Sequence, residues 1–176
     1  MTLEEEIKAA IIDVIDFPRP GIIYKDITPI FENPKLAQRI LDALYDVYKD
    51  KQIDAVTGLE SRGFLFGMPL ALRLGVPFIL IRKKNKLPRQ VYHIRYQLEY
   101  GESTIEMHTD SIKPGQRVLI HDDVLATGGT ATAAAKLIEM AGGEVAGFSF
   151  LTELSFLNGR KALPVPNEQI ITFATF

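Results

Sequence analysis

Val118 to Thr130 reads VLIHDDVLATGGT. The run from Val118 to Ile120 is continuously apolar and ends against charge, the pattern of a strand buried on both faces. Two glycines follow, and from about Thr130 to Ala141 the apolar residues recur at helical spacing until Gly142 and Gly143 stop them. A buried strand that turns through glycine into a helix is half of a parallel α/β unit. The same alternation flanks it. Asp54 to Gly58 reads as a short strand, LESRG as a loop, Phe64 to Leu74 as a helix stopped by Gly75, and Pro77 to Ile81 as a strand running into RKKNK. Further on, Val145 to Leu151 and Ile170 to Phe173 read as strands. Strands alternating with helices predict an α/β fold with a parallel-sheet core, flanking helices and right-handed crossovers.

At the start of the chain, Leu3, Ile7, Ala10, Ile11 and Val14 recur at helical spacing and predict an amphipathic helix ended by Pro18 and Pro20. An irregular stretch follows, FPRPGIIYKDITPIFENP. Leu36, Ile40, Ala43, Leu44 and Val47 then mark a second helix. One segment breaks the α/β rhythm. From Lys83 to Gly101 there is no helical period, and its second half alternates. Tyr92, Ile94, Tyr96, Leu98 and Tyr100 fall on one face, and His93, Arg95, Gln97 and Glu99 on the other. After Gly101, Ile105 and Met107 alternate with Thr104, Glu106 and His108. This is a β-hairpin inserted between core strands. The pattern fits a lid over a site and equally an edge hairpin that extends the sheet.

The 176 residues suggest one domain. Hydrophobic residues make up 47% and charged residues 24%, as in ordinary globular proteins. A formal charge of -2 calls for neither nucleic acid nor an anionic membrane. With no cysteine, disulfides, thiolate nucleophiles and cysteine zinc sites are excluded. The opening MTLEEEIKAAIIDVI is acidic where a signal peptide is basic, and no apolar run is long enough to span a bilayer, so a cytoplasmic location is expected. His93, His108 and His121 lack metal-ligand spacing, and no direct protein metal site is expected.

In parallel sheets, ligands bind beyond the carboxyl ends of the strands, where Asp122 to Thr130 falls. Gly128 and Gly129 allow backbone amides to converge on an anion, Thr127 and Thr130 add hydroxyls, and a helix N-terminus adds free N–H groups. The composite is a phosphate cradle. No Lys follows the glycines, so it is not a Walker loop, and the dinucleotide spacing is absent too. GLESRG has Walker-like glycine spacing, but Phe64 stands where Lys should be. Asp122 and Asp123 would repel a phosphate placed against them, so they must serve a cation or another part of the ligand. Vicinal hydroxyls donate well to carboxylates. Phosphate at one end and a diol nearby describe a ribose 5-phosphate, and Mg²⁺ held mostly through ligand oxygens also fits. The competing interpretation is a solvated acidic turn capping a helix.

These residues resemble the phosphoribosyl diphosphate signature of the type I phosphoribosyltransferases. The similarity runs from about Phe17 to Pro166 through FPRPGIIYKDITPIF, GLESRGFLFG, IRKKNKLP, LEYG, HDDVLATGGTATAA and ELSFLNGR, and within that group it is to the adenine-using enzymes. The resemblance implies a purine salvage reaction, adenine plus phosphoribosyl diphosphate giving AMP and pyrophosphate, with Mg²⁺ bound together with the diphosphate. It also implies a homodimer. The fold it implies is a single phosphoribosyltransferase domain over 1–176, with an N-terminal base-recognition hood at about 1–35 and a β-hairpin lid at about 83–108.

The family pattern carries over residue by residue. Ala126, Thr127, Gly128, Gly129 and Thr130 would hold the 5-phosphate, and Asp122 and Asp123 the ribose hydroxyls. Departing pyrophosphate needs cations around it; Ser61, Arg62, Arg82 and Lys86 match those positions, with a non-proline cis peptide between Glu60 and Ser61. Lys83 and Lys84 are weaker candidates, since such a run is otherwise a solvated face. Glu99, with Tyr100 and Arg62, would be catalytic, because a carboxylate can stabilise oxocarbenium-like charge at C1 or accept a hydrogen bond from the incoming base. Glu99 could equally be an exposed lid carboxylate. Ile23, through its backbone, and Tyr24, Lys25 and Leu154 would recognise adenine; many relatives carry Arg where Lys25 stands. The Ile22 and Ile23 side chains also suit a core. Three rivals remain: a phosphoribosyltransferase for hypoxanthine or guanine, xanthine or orotate; a non-catalytic regulator that binds the ribose ligand; and a P-loop nucleotidase, which the missing Lys opposes.

Overall fold

The computed structural model describes residues 1–98 and 101–176. Its centre is a sheet of β3 (Ala55–Leu59), β4 (Phe78–Lys83), β5 (Val91–Leu98), β6 (Gly101–His108), β7 (Arg117–Leu125), β8 (Glu144–Glu153) and β9 (Ile170–Thr175). The spatial order is β5-β6-β4-β3-β7-β8-β9. Strands β4, β3, β7, β8 and β9 pair in parallel, as the alternation predicted. The hairpin β5–β6 joins the edge antiparallel to β4, with Arg82 opposite Glu106. The inserted segment therefore does extend the sheet. Its alternation is real: Tyr92, Ile94 and Tyr96 are half-buried, while His93, Arg95 and Gln97 are exposed.

Two apolar layers enclose the core strands. Ala55, Val118, Ile120, Phe148 and Phe150 face α5 (Gly129–Met140), whereas Val56, Leu119 and Leu151 face α1 (Leu3–Ala10), α3 (Pro34–Tyr48) and α4 (Gly63–Leu74). Successive residues of one strand thus enter opposite cores, which explains the unbroken apolar runs. Local signals set the helix ends. Thr2 and Glu5 form a reciprocal capping box on α1. Asn33 caps α3 by accepting the Leu36 N–H, with Pro34 in its first turn.

The structure corrects the sequence reading in three places. The first helix does not run to the prolines. It ends at Ala10, and Ile12–Ile15 forms β1, antiparallel to β2 (Ile23–Asp26), with Val14 opposite Tyr24. Leu3, Ile7, Ala10 and Ile11 do pack into the core. The β-branched run beyond them favours a strand once a pairing partner exists. The stretch expected to be irregular holds β2 and the short helix α2 (Thr28–Glu32). Finally, β7 does not stop at Ile120. It continues through Asp122 and Asp123 to Leu125, because β8 pairs alongside it to Glu153. The acidic pair therefore lies in a rigid strand, not in a loop. Among the described residues, no helix is long and apolar enough to cross a membrane.

Candidate active site

A cleft of about 380 Å³ opens where β3 and β7 end. On one side are Asp122, Asp123 and the whole turn from Ala126 to Thr130; on the other are Ser61 and Arg62. The structure thus gathers all seven predicted phosphoribosyl residues and two of the predicted pyrophosphate residues into one cavity. Gly128 has φ +82°, and a Cβ there would stand 2.6 Å from Gly159 O, so the turn needs glycine for both conformation and space. Helix α5 begins directly after it, which leaves the first-turn N–H groups facing the cleft.

The segment after β8 supports this turn from behind. A Cβ on Gly159 would collide with Ala126 O. Thr132 Oγ1 hydrogen-bonds both Gly128 O and Ala162 O, at 2.9 Å each. Arg160 holds the segment in place by donating to both Glu153 carboxylate oxygens at 2.9 Å and to Ile170 O at 3.0 Å. Glu153 is buried. Leu154 N donates to Leu125 O at 2.9 Å, so this expected base-packing residue adjoins the cradle, although its side chain does not line the cleft.

Opposite charges are matched across the site. Arg62 Nε donates to Asp123 Oδ2. Burial disfavours the Arg62 charge, but the Asp123 carboxylate more than offsets this and raises its pKa above the usual value. Asp122 keeps a partly exposed edge and accepts the Asp123 N–H at 2.9 Å. Its protein surroundings, and then the neighbouring Asp123 charge, push its carboxyl well above the usual range. Adjacent in sequence, the two carboxylates differ in partner: Asp123 meets the Arg62 guanidinium, and Asp122 the Asp123 N–H. His121 lies beneath them. Burial lowers its pKa to about 4, with Asp123 opposing the shift.

Arg82 and Lys86 do not line the cleft directly. Both meet Glu60, which does: Arg82 Nε at 3.2 Å and Lys86 Nζ at 3.1 Å, with the Lys83 N–H at 2.9 Å. Although burial would raise the Glu60 pKa, these three donors hold its carboxyl below the usual range. The peptide between Glu60 and Ser61 is cis, as the resemblance implied. Glycine spacing in GLESRG is explained by packing: a Cβ on Gly63 would meet His121 O at 2.7 Å.

The N-terminal segment expected to form the hood reaches the site where the Arg62 guanidinium lies 5.6 Å from the Tyr24 ring centroid. Ile23 is exposed, and Tyr24 packs edge-on against Phe17 at 5.2 Å. Lys25 turns elsewhere, to Asp13 at 2.7 Å and over the Phe176 ring at 4.4 Å. Glu99 and Tyr100 lie outside the described residues. Sequence reasoning missed Glu60, Tyr96 and Ser103 as cleft residues. Only Tyr96 left a usable signal, on the apolar face of the alternating strand. Among the described residues, no group of three or more His, Cys, Asp or Glu could hold a metal ion.

Comparison with known proteins agrees with this geometry. The phosphoribosyl transferase domain family matches residues 26–162. The chain is 54% identical over 161 residues to the adenine phosphoribosyltransferase of Cytophaga hutchinsonii, covering 92% of this chain and 89% of that one. The crystal structure of adenine phosphoribosyltransferase from Thermoanaerobacter pseudethanolicus superposes with a TM-score of 0.94 at 47% identity, over 99% of this chain and 100% of the other. The Saccharomyces cerevisiae enzyme, crystallised with an imino-altritol bisphosphate and adenine, superposes with a TM-score of 0.90 at 41% identity, over 97% and 98% of the two chains. With the family domain matched over most of its length and more than half of the aligned residues shared with the Cytophaga hutchinsonii enzyme, this chain belongs to the adenine phosphoribosyltransferase family.

Proposed function

We propose that the protein transfers the 5-phosphoribosyl group of phosphoribosyl diphosphate to adenine, giving AMP and pyrophosphate, as a cytoplasmic purine salvage enzyme. The observation that carries this reading is a single cleft with an anion cradle at one end, two carboxylates in the middle and cations at the other. In this reading, residues 1–176 make a single domain with a hood at 1–35 and a lid at 83–108. Backbone N–H groups and hydroxyls of Ala126 to Thr130 hold the 5-phosphate. Asp122 and Asp123 accept from the ribose hydroxyls. Ser61, Arg62, Arg82 and Lys86 draw off the negative charge that develops on departing pyrophosphate. Arg62 must then exchange part of its bond with Asp123 for the ligand.

The family resemblance assigns the chemistry at C1 to Glu99, with Tyr100, and a lid over the cleft keeps water from an activated ribose. Ile23, Tyr24, Lys25 and Leu154 form the adenine side, with Lys25 steadying the hood through Asp13. Among the described residues, the carboxylates lining the cradle side are Asp122 and Asp123, and Asp123 is engaged by Arg62. That donor set suits Mg²⁺ held through ligand oxygens and water. When bound with the diphosphate, the ion would neutralise its charge. A homodimer is also proposed, on the exposed apolar stripe of α4 formed by Leu65, Met68 and Leu72.

Purified protein should be offered adenine, hypoxanthine, guanine, xanthine and orotate in turn, with phosphoribosyl diphosphate and Mg²⁺. AMP is the expected product; formation of another nucleotide without AMP would move the enzyme to a different base. Glu99→Ala is expected to lower turnover by roughly 10²- to 10⁴-fold while ribose 5-phosphate binding is largely kept. Unchanged turnover removes Glu99 from the chemistry, and a non-catalytic regulator would turn over no base at all.

A further inference from the structure

Among the described residues, the hairpin and the phosphate cradle meet in a polar contact. Tyr96 Oη lies 3.1 Å from Thr130 Oγ1, and both residues line the cleft. Packing fixes this pair. A Cβ on Gly129 would stand 3.5 Å from Gln97 O and 3.8 Å from Tyr96 Cδ2, so β5 runs directly over the start of α5. The Tyr96 ring joins the core on that side of the sheet.

We propose that Tyr96 is a positioning residue for the 5-phosphate: it donates its phenolic O–H to Thr130 Oγ1 and so leaves the Thr130 proton directed at a phosphate oxygen. A threonine hydroxyl has one proton to give and two lone pairs to receive with. Left alone, that proton rotates among several directions, only some of which face the cradle. A phenol is the stronger acid of the two hydroxyls and the better donor, so the proton order runs from Tyr96 to Thr130. Thr130 then has its own proton free for the anion, and each bond of such a chain strengthens the next. The hydroxyl of a lid strand thereby becomes part of the phosphate site.

This inference rests on the reading of Ala126 to Thr130 as the 5-phosphate cradle. The test uses the full chain as wild type, Tyr96→Phe, Thr130→Val and the double variant. Calorimetric titration with ribose 5-phosphate, AMP and pyrophosphate is combined with steady-state kinetics. Tyr96→Phe keeps the ring and removes one hydroxyl. It is expected to raise Kd for ribose 5-phosphate and AMP about three- to tenfold, and KM for phosphoribosyl diphosphate with it. Pyrophosphate affinity and kcat should stay within about twofold, as for loss of uniform binding. In the Thr130→Val background the same change should add nothing, whereas Thr130→Ser should preserve the dependence on Tyr96.

Unchanged ribose 5-phosphate binding in Tyr96→Phe overturns the inference, as does equal weakening of ribose 5-phosphate and pyrophosphate. So does full additivity in the double variant. Wild-type protein that binds neither ribose 5-phosphate nor AMP overturns the functional reading itself, and the Tyr96 role falls with it. Normal wild-type binding with an indifferent variant removes Tyr96 alone.

Discussion

His121 stands on β7 next to the acidic pair, with 1% of its surface exposed and Nδ1 3.2 Å from Ser149 Oγ. Its Nε2 has no protein partner among the described residues, so protonation would bury an unpaired N–H⁺. The folded-state pKa is about 4 against an ordinary 6.5. Between those values the unfolded chain binds a proton that the folded chain refuses, so acid favours unfolding. The stability is fully present above about pH 6.5 and declines as pH falls towards 4, by about 3 kcal/mol in all. Urea unfolding across that range should show this slope in wild type and lose it in His121→Gln; parallel curves would mean that His121 does not titrate as argued. Gly159 makes a different demand. Ala there meets the Ala126 carbonyl, which cannot swing aside as a side chain can. Gly159→Ala should cost about 1–3 kcal/mol and weaken ribose 5-phosphate binding more than pyrophosphate binding, as thermal melts and titrations of both ligands would reveal. From the sequence, Asp122, Asp123 and the turn to Thr130 were legible, because one continuous segment carries both their chemistry and their placement. Glu60 was not, since its meaning comes from Arg82 and Lys86 on another strand and its loop.

At the scale of elements, periodicity marked the core strands and the helices α3, α4 and α5, because each buries a face wide enough to pattern its own sequence. It failed at β1, where Ile12 to Ile15 pairs only with β2 in a separate two-stranded sheet and leaves Ile12 and Ile15 exposed. Such a ribbon has little core to write an alternation into the chain. Its function depends on where it is pinned, and Tyr24 against Arg62 is the pin at the cleft. Tyr24→Ala removes the ring that the guanidinium and Phe17 pack against. KM for adenine should rise about tenfold, with a smaller change for phosphoribosyl diphosphate. Equal effects on both substrates would make Tyr24 a general support for Arg62 instead of part of the base side.

For the whole molecule, the outer face of α4 presents an apolar stripe to water. Leu65, Met68 and Leu72 fall at i, i+3 and i+7, and are 47%, 43% and 67% exposed. An amphipathic helix normally buries one stripe and solvates the other. Here Phe66 and Leu70 enter the core while the opposite stripe is apolar as well. A segment as apolar as GFLFGMPLALRL cannot by its sequence alone separate a helix buried within one chain from one shared between two. Placed at the surface, it asks for a partner, and a second copy of the chain is the simplest, since a two-fold axis lets one face cover itself. Because α4 begins at Gly63, next to Arg62 of the cleft, pairing there would also steady the pyrophosphate side. Met68→Lys with Leu72→Lys should convert the dimer to a monomer in sedimentation experiments, with little loss of fold by circular dichroism. The ratio kcat/KM should fall with it, through a raised KM for phosphoribosyl diphosphate. A variant that stays dimeric would place the interface on another face, and a wild type that sediments as a monomer would remove the dimer from the proposal.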